Sequence, residues 1–255
     1  MRVLLLGGTA DGNQLAGVLG AAGHEVITSV AGRTTQARQA ADRRVGGFGG
    51  AAGLSSYLRN NDIEAVVDAT HPFAEQMTRN AAQACESCGV PLLRFNRPGW
   101  TQHPNHAEWS WVDDHRGAAQ LVMSRFPAGR ALLTVGRQPL SAYHGLPNVL
   151  ARVAEWAGGA VPAGWCVRQQ RGPFTLSGEL ALLLDEQISV LVSKDSGGAH
   201  TAAKLEAAHQ LRVPVVMVRR PATPPGVAEV ATHAGVVRWL EVQGFIPDPA
   251  PRPHR

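Results

Sequence analysis

The sequence predicts an α/β protein of two Rossmann-like domains, with mostly parallel sheets and a ligand cleft between them. Three observations carry this. Short β-branched or leucine-rich runs alternate with helical stripes along the whole chain. Several of those runs are apolar almost throughout, as strands covered by helices on both faces must be. A short pattern, "VPLLRFNRP" at residues 90–98, also returns as "VPVVMVRRP" at residues 213–221, each copy preceded by an alanine-rich helix and a strand ending in a polar loop.

Taken in order, residues 3–6 are the first predicted strand, and Leu15, Val18, Leu19 and Ala22 form the helical stripe that follows. Strands at 26–30 and 65–69 come next. The stripe of Phe73, Met77, Ala81, Ala84 and Cys88 then predicts a helix with Pro72 near its first position, where a missing N–H costs nothing. A strand at 91–95 closes the first half; the second half offers 131–135, 149–153, 190–193 and 214–218, and then Val236, Val237 and Leu240 as a helix closing a sheet. "RFPAG" at 125–129 ends a helix before a fresh strand, so the expected domains are 1–127 and 128–245, with a frayed tail at 246–255.

The chain has 255 residues, 44% hydrophobic and 17% charged, enough for a proper core. No apolar run approaches the roughly 18 residues of a membrane span, and no basic-then-apolar leader is recognisable, so a cytoplasmic protein, monomeric and off the membrane, is expected. Cys85, Cys88 and Cys166 are too few and too unevenly placed for a disulfide framework. The C-x-x-C spacing of the first two falls late in a helix with no second pair, and His103 and His106 lack further ligands, so no metal is expected. Net charge is +4, and of 24 lysines and arginines only Lys194 and Lys204 are lysines. Guanidinium forks suit carboxylates and phosphates. No run of five basic residues occurs and aromatics are 5%, which favours a small anion over nucleic acid.

In open parallel sheets, ligands lie beyond the carboxyl ends of strands. The first such loop holds Gly7, Gly8, Thr9, Ala10 and Asp11, where bare glycines and a helix N-terminus would let a diphosphate approach. Its spacing is not the standard G-x-G-x-x-G, so a structural turn is the competing reading. After the second strand come Ser29, Arg33 and Thr34 with no carboxylate, which suits the 2′-phosphate of NADPH better than the ribose hydroxyl of NADH. "VGGFGG" at 45–50 offers Gly47 for close backbone approach, or simply turn geometry.

Seven strings occur in register: "LLLGGTADG", "TSVAGRT", "VGGFGG", "DATHPFA", "TVGRQ", "RGPF" and "SKDSGG". Together they resemble the precorrin-6A reductase family of cobalamin biosynthesis over nearly the full chain, to about Trp239. The resemblance implies NADPH-dependent reduction of one double bond of precorrin-6A to give precorrin-6B, with hydride delivered to C19 and a proton to the adjacent carbon. The substrate implied is an anionic tetrapyrrole, metal-free or carrying cobalt. On that reading Arg137 and Arg171 are carboxylate clamps, with salt bridging as the alternative. Lys194, Ser196, Gly197 and Gly198 contact substrate, and Lys194 and Asp195 are candidates for proton transfer, although Asp195 replaces an asparagine common among relatives. Thr70 and His71 position nicotinamide or substrate, with His71 a candidate proton donor; a helix-capping turn competes. Asp195 or Ser196 could equally cap the next helix. A short-chain reductase of another substrate would show Tyr-x-x-x-Lys, and Tyr143 has no lysine four residues on; a dinucleotide sensor without turnover is the non-enzymatic alternative.

Overall fold

The structure is a computed structural model that describes residues 1–32, 43–198 and 201–244. It divides into two compact units, Met1–Arg97 with Ala222–Arg255, and Pro98–Pro221.

The first unit is built from β1 (Arg2–Leu6), α1 (Ala10–Ala21), β2 (Glu25–Val30), β3 (Arg44–Val45), α2 (Gly50–Asn60), β4 (Ala65–Asp68), α3 (Glu75–Cys88) and β5 (Leu92–Phe95), and the returning chain adds β12 (Ala228–Val230) and α7 (His233–Gln243). Its six strands lie in the order β12-β5-β4-β1-β2-β3, every pair parallel. Successive residues of β1 supply opposite faces: Val3 and Leu5 pack with Leu15, Leu19, Val236 and Leu240, whereas Leu4 and Leu6 pack with Leu54, Leu58, Ala81 and Ala84. Both faces are thus dry, which is why the strand shows no polar alternation. Cys85 belongs to the second of these clusters, as core packing required, and burial pushes its thiol up to about 12.

The second unit holds β6 (Ser110–Val112), α4 (His115–Arg125), β7 (Arg130–Leu133), β8 (Val149–Val153), β9 (Trp165–Gln169), α5 (Leu176–Asp185), β10 (Ile188–Lys194), α6 (Ala203–Gln210) and β11 (Val215–Val218). Its order is β6-β11-β10-β7-β8-β9, again parallel throughout. Position by position this matches the first sheet, with β7 in the place of β1 and β10 in the place of β4.

The match corrects the expected division at residue 127. That point separates the two sequence repeats but not the two units, because each repeat gives its sixth strand and the following helix to the other sheet: β6 and α4 join the second, β12 and α7 the first. The stripe of Val236 and Leu240 therefore packs on the first sheet. The chain changes unit at Arg97/Pro98 and again at Pro221/Ala222, in each case at the Arg-Pro that ends the recurrent pattern.

Four helices begin alike. Thr9, Asp114, Thr175 and Thr232 are N-caps whose side chains accept from the amides of Gly12, Gly117, Gly178 and Gly235, a Thr/Asp-x-x-Gly start. A Cβ at Gly12, Gly178 or Gly235 would sit 3.1–3.2 Å from the capping hydroxyl, so glycine keeps that bond undisturbed. Two local expectations change: α3 starts at Glu75, leaving Pro72 in a turn before it, and α6 is capped at Ala202 rather than at Asp195 or Ser196. The strands missing from the sequence reading, β3, β6, β9 and β12, all lie at or next to a sheet edge and are short or half exposed.

Candidate functional site

In both sheets the strand order reverses beside the first strand of the repeat, between β1 and β4 and between β7 and β10. Loops leaving those carboxyl ends diverge to opposite faces and open a crevice. Most of the sequence-predicted site residues that are described fall on these loops or the ones beside them; Gly47 and Arg171 follow the edge strands β3 and β9.

In the first unit, the Gly7 amide donates to Ser29 at 2.8 Å, ending β1 against β2. Gly8 follows at φ +108°, a region that side chains disfavour, and nothing lies within 4 Å of where its Cβ would be. Thr9 caps α1: its hydroxyl accepts from Gly12 at 3.0 Å and donates to the Ala69 carbonyl at 3.1 Å, tying the β1 and β4 loops together. Gly7, Thr9 and Gly12 therefore stand at the three positions of G-x-G-x-x-G, with threonine in the middle and the extra freedom moved to Gly8. The first-turn amides of Ala10 and Asp11 have no acceptor within the helix. Asp11 would repel an anion there, but its carboxylate is paired with Arg97. Such a loop fits a diphosphate on geometry and on charge.

Ser29, buried at the end of β2, accepts from Arg44 at 3.3 Å. Arg44 went unnoticed in the sequence. Pairing of β3 with β2 sets it opposite Ser29, where it donates to Gly46 and Gly47 at 2.8 and 2.9 Å and stacks on Phe48 at 3.7 Å, fixing the glycine loop. Arg33 and Thr34 lie outside the described residues.

The loop after β4 rests on a buried ion pair. Asp68 and Arg94 meet at 2.6 Å with side chains 0% and 4% exposed, and Asp68 also accepts from the Thr70 amide and hydroxyl at 3.0 and 2.7 Å and from Thr78 at 2.6 Å. Arg94 reaches the Thr70 hydroxyl and the His71 carbonyl as well. His71 Nδ1 accepts from the Phe73 amide at 3.2 Å, which leaves the other ring nitrogen to carry the proton. Thr70 and His71 are thus held by the hub rather than by a helix cap.

In the second unit, Lys194 ends β10, close enough to Gly136 that a Cβ there would lie 3.8 Å from its Nζ. Burial brings its ammonium down to about 8. Asp195 is tied down: it accepts from the Trp100 amide at 2.5 Å and pairs with Arg220 at 3.3 Å, while Arg220 Nε also donates to the Asp195 carbonyl. That arrangement gives Asp195 the task of pinning the chain where it enters and leaves the unit, not the proton transfer expected of it. Ser196, Gly197 and Gly198 continue the loop, with the Ser196 amide turned back on Lys194 at 2.7 Å. Arg137 is exposed at the start of a 3₁₀ helix, Gln138–Tyr143. Arg171 pairs with Glu155 at 2.8 Å, a salt bridge inside the unit.

Another group unseen in the sequence is His115, the first residue of α4. Its Nδ1 lies 2.8 Å from the hydroxyl of fully buried Tyr143, whose pKa burial raises, so the phenol keeps its proton. Burial first, and then Lys194, lowers His115 to about 4. An unfolded chain would hold a proton on this ring at about 6.5, so folding stability should fall as pH drops from about 6.5 to about 4. Urea midpoints across that range check this, and His115→Phe should flatten part of the slope.

Among the described residues no group of His, Cys, Asp and Glu could hold a metal ion, and no helix is long and apolar enough to cross a membrane.

The family model described as precorrin-6x reductase CbiJ/CobK matches residues 2–241. The precorrin-6A reductase of Rhodococcus erythropolis is 42% identical over 243 residues, covering 94% of this chain and 97% of the relative. That of Rhodobacter capsulatus is 40% identical over 250 residues, 96% and 98% of the two chains. The cobalt-precorrin-6A reductase of Salmonella typhimurium is 29% identical over 234 residues, 86% and 87%. A solved structure of CobK precorrin-6A reductase superposes with TM-score 0.84 at 39% identity, covering 98% of this chain and all of that one.

Proposed function

Because the chain belongs to the precorrin-6x reductase family of cobalamin biosynthesis, an oxidoreductase acting on a C=C bond of the precorrin ring, we propose that it uses NADPH to reduce metal-free precorrin-6A, with hydride going to C19 to give precorrin-6B. The observation that carries the cofactor reading is the first βα turn, where Gly8, Thr9 and the amides of Ala10 and Asp11 form a cradle and Arg97 neutralises the one acid in it. NADPH supplies the hydride when bound. Ser29, Arg33 and Thr34 receive its 2′-phosphate, the Arg44-braced loop with Gly47 borders the adenosine, and Thr70 and His71 fix the nicotinamide through the Asp68 hub. On the substrate side, Arg137 and Arg171 hold ring carboxylates, Gly197 and Gly198 receive another on backbone amides beside the Ser196 hydroxyl, and Lys194 delivers the proton. Identity of 42% and 40% to precorrin-6A reductases, against 29% to a cobalt-precorrin-6A reductase, favours the metal-free substrate. A cytoplasmic monomer fits this role.

The test is to mix the protein with precorrin-6A and either nicotinamide while following cofactor oxidation. NADPH should be oxidised and precorrin-6B formed; no oxidation with that substrate rejects the reading. Arg33→Ala should weaken NADPH by ten- to a hundredfold, the worth of one or two charge-assisted hydrogen bonds, and NADH far less. Equal loss for both would remove the 2′-phosphate assignment.

A further inference from the structure

The two lysines of the chain flank one loop, Lys194 before it and Lys204 after it. Lys204, on the first turn of α6, is 5% exposed. Its ammonium donates to the Thr201 carbonyl at 3.0 Å, and among the described residues no carboxylate forms an ion pair with it. The charged groups facing it are Arg152 from β8, Glu179 from α5 and Lys194 from β10. Glu179 is already taken, because Arg152 grips it at two points, 2.5 and 3.1 Å, with its guanidinium stacked on Phe174 at 4.0 Å. Glu206 on the same helix is engaged by Gln210 at 2.8 Å; His200 lies outside the described residues.

Three donors with one acceptor, and two other cations against one carboxylate, make a protonated Lys204 an uncompensated buried charge. Burial and Arg152 accordingly lower it to about 7. Arginine, which the chain prefers elsewhere, could not give up its proton in such a place. Thr201, which receives Lys204, bonds in turn to the Gly198 carbonyl through its amide at 3.3 Å and its hydroxyl at 3.5 Å. Lys204 is thus tied to the end of the loop at residues 196–198 through Thr201 and the Gly198 carbonyl.

We propose that a tetrapyrrole carboxylate seated on residues 196–198 draws one proton onto Lys204, so that substrate binding and proton uptake are a single thermodynamic event. This rests on the substrate reading above and deepens it: the arriving anion offsets the charge that burial and the neighbouring cations otherwise keep off Lys204. Above the titration point of the free protein, Kd for the substrate rises by about tenfold per pH unit, as linkage to one proton requires.

The experiment is calorimetric titration of the full chain with precorrin-6A near pH 8, in two buffers of different ionisation heat, for wild type, Lys204→Met and Lys204→Arg. Wild type takes up close to one proton per substrate more than either variant. Lys204→Arg keeps only the pH dependence that Lys194 supplies, and Lys204→Met binds about ten- to a hundredfold more weakly. Substrate binding by wild type with no more uptake than Lys204→Arg overturns the proposal and leaves the substrate reading standing. No binding by any of the three overturns both. Lysine to methionine conserves volume, and should that variant fail to fold, the comparison of wild type with Lys204→Arg decides alone.

Discussion

Lys194→Met is expected to lower kcat for precorrin-6A reduction by about 10²- to 10⁴-fold, the range that a positioned proton donor contributes, while NADPH affinity stays within a factor of two or so. The expectation follows from three facts. Reducing a C=C bond requires a proton as well as a hydride. Lys194 ends the strand at the reversal point of the second sheet, and burial holds its ammonium near 8, where it is both charged and willing to release the proton at neutral pH. The rival acids are less suited: Asp195 is locked to Arg220 and the Trp100 amide, and His71 lies on the loop after β4, the one proposed for nicotinamide. Wild-type kcat should decline above about pH 8 as the ammonium deprotonates. Stopped-flow measurement of NADPH oxidation across pH checks both. Unchanged turnover in the methionine variant would pass the role to His71, and His71→Ala would then carry the loss.

Asp68→Ala should destabilise the first unit by about 3–5 kcal/mol, the cost of leaving one member of a buried ion pair without its partner. Arg94 would keep its charge at 3% exposure, and the Thr70 and Thr78 hydroxyls would lose their acceptor. That is a large share of the 5–15 kcal/mol a typical domain has. Urea unfolding reads the loss directly. Asp68→Asn keeps one acceptor oxygen for Thr70, removes the charge and turns an N–H₂ donor toward the Thr78 hydroxyl, so it should fall between wild type and alanine. Replacing both partners, Asp68→Leu with Arg94→Met, should recover much of the stability that the alanine variant loses, yet NADPH should bind more weakly because Thr70 and His71 lose their anchor.

The central strands of both sheets were legible because each is an apolar run bracketed by loop residues, and the glycine turn after β1 was legible because two glycines follow such a run. The edge strands were not. "SWV" and "AEV" are three residues each and draw their stability from pairing with β11 and β5, so no local period marks them. For the same reason the boundary at 127 followed the repeat and not the units. The buried pairs could have been anticipated: Arg94 in "LLRF" and Arg152 in "VLARV" are single charges inside otherwise buried strands, and a charge so placed demands a partner. Its identity, Asp68 or Glu179, depends on which strand or helix lies alongside, which only the fold supplies. Arg44 depended on a two-residue strand, and His115 and Tyr143 on contact between α4 and a 3₁₀ turn distant in sequence. Spacing alone shows none of these.

The exchange of sixth strands also sets the order in which a ribosome can finish the protein. Pro98–Pro221 is one continuous stretch, so everything the second sheet needs has emerged once residue 221 leaves the exit tunnel. The first sheet, although five of its strands are made earliest, waits for β12 to pair with β5 across the Ala228↔Leu93 register. The unit that starts first is therefore completed last, and until then it displays the bare edge of β5 and the apolar face that Val236 and Leu240 will cover, a nascent chain in need of protection from its neighbours.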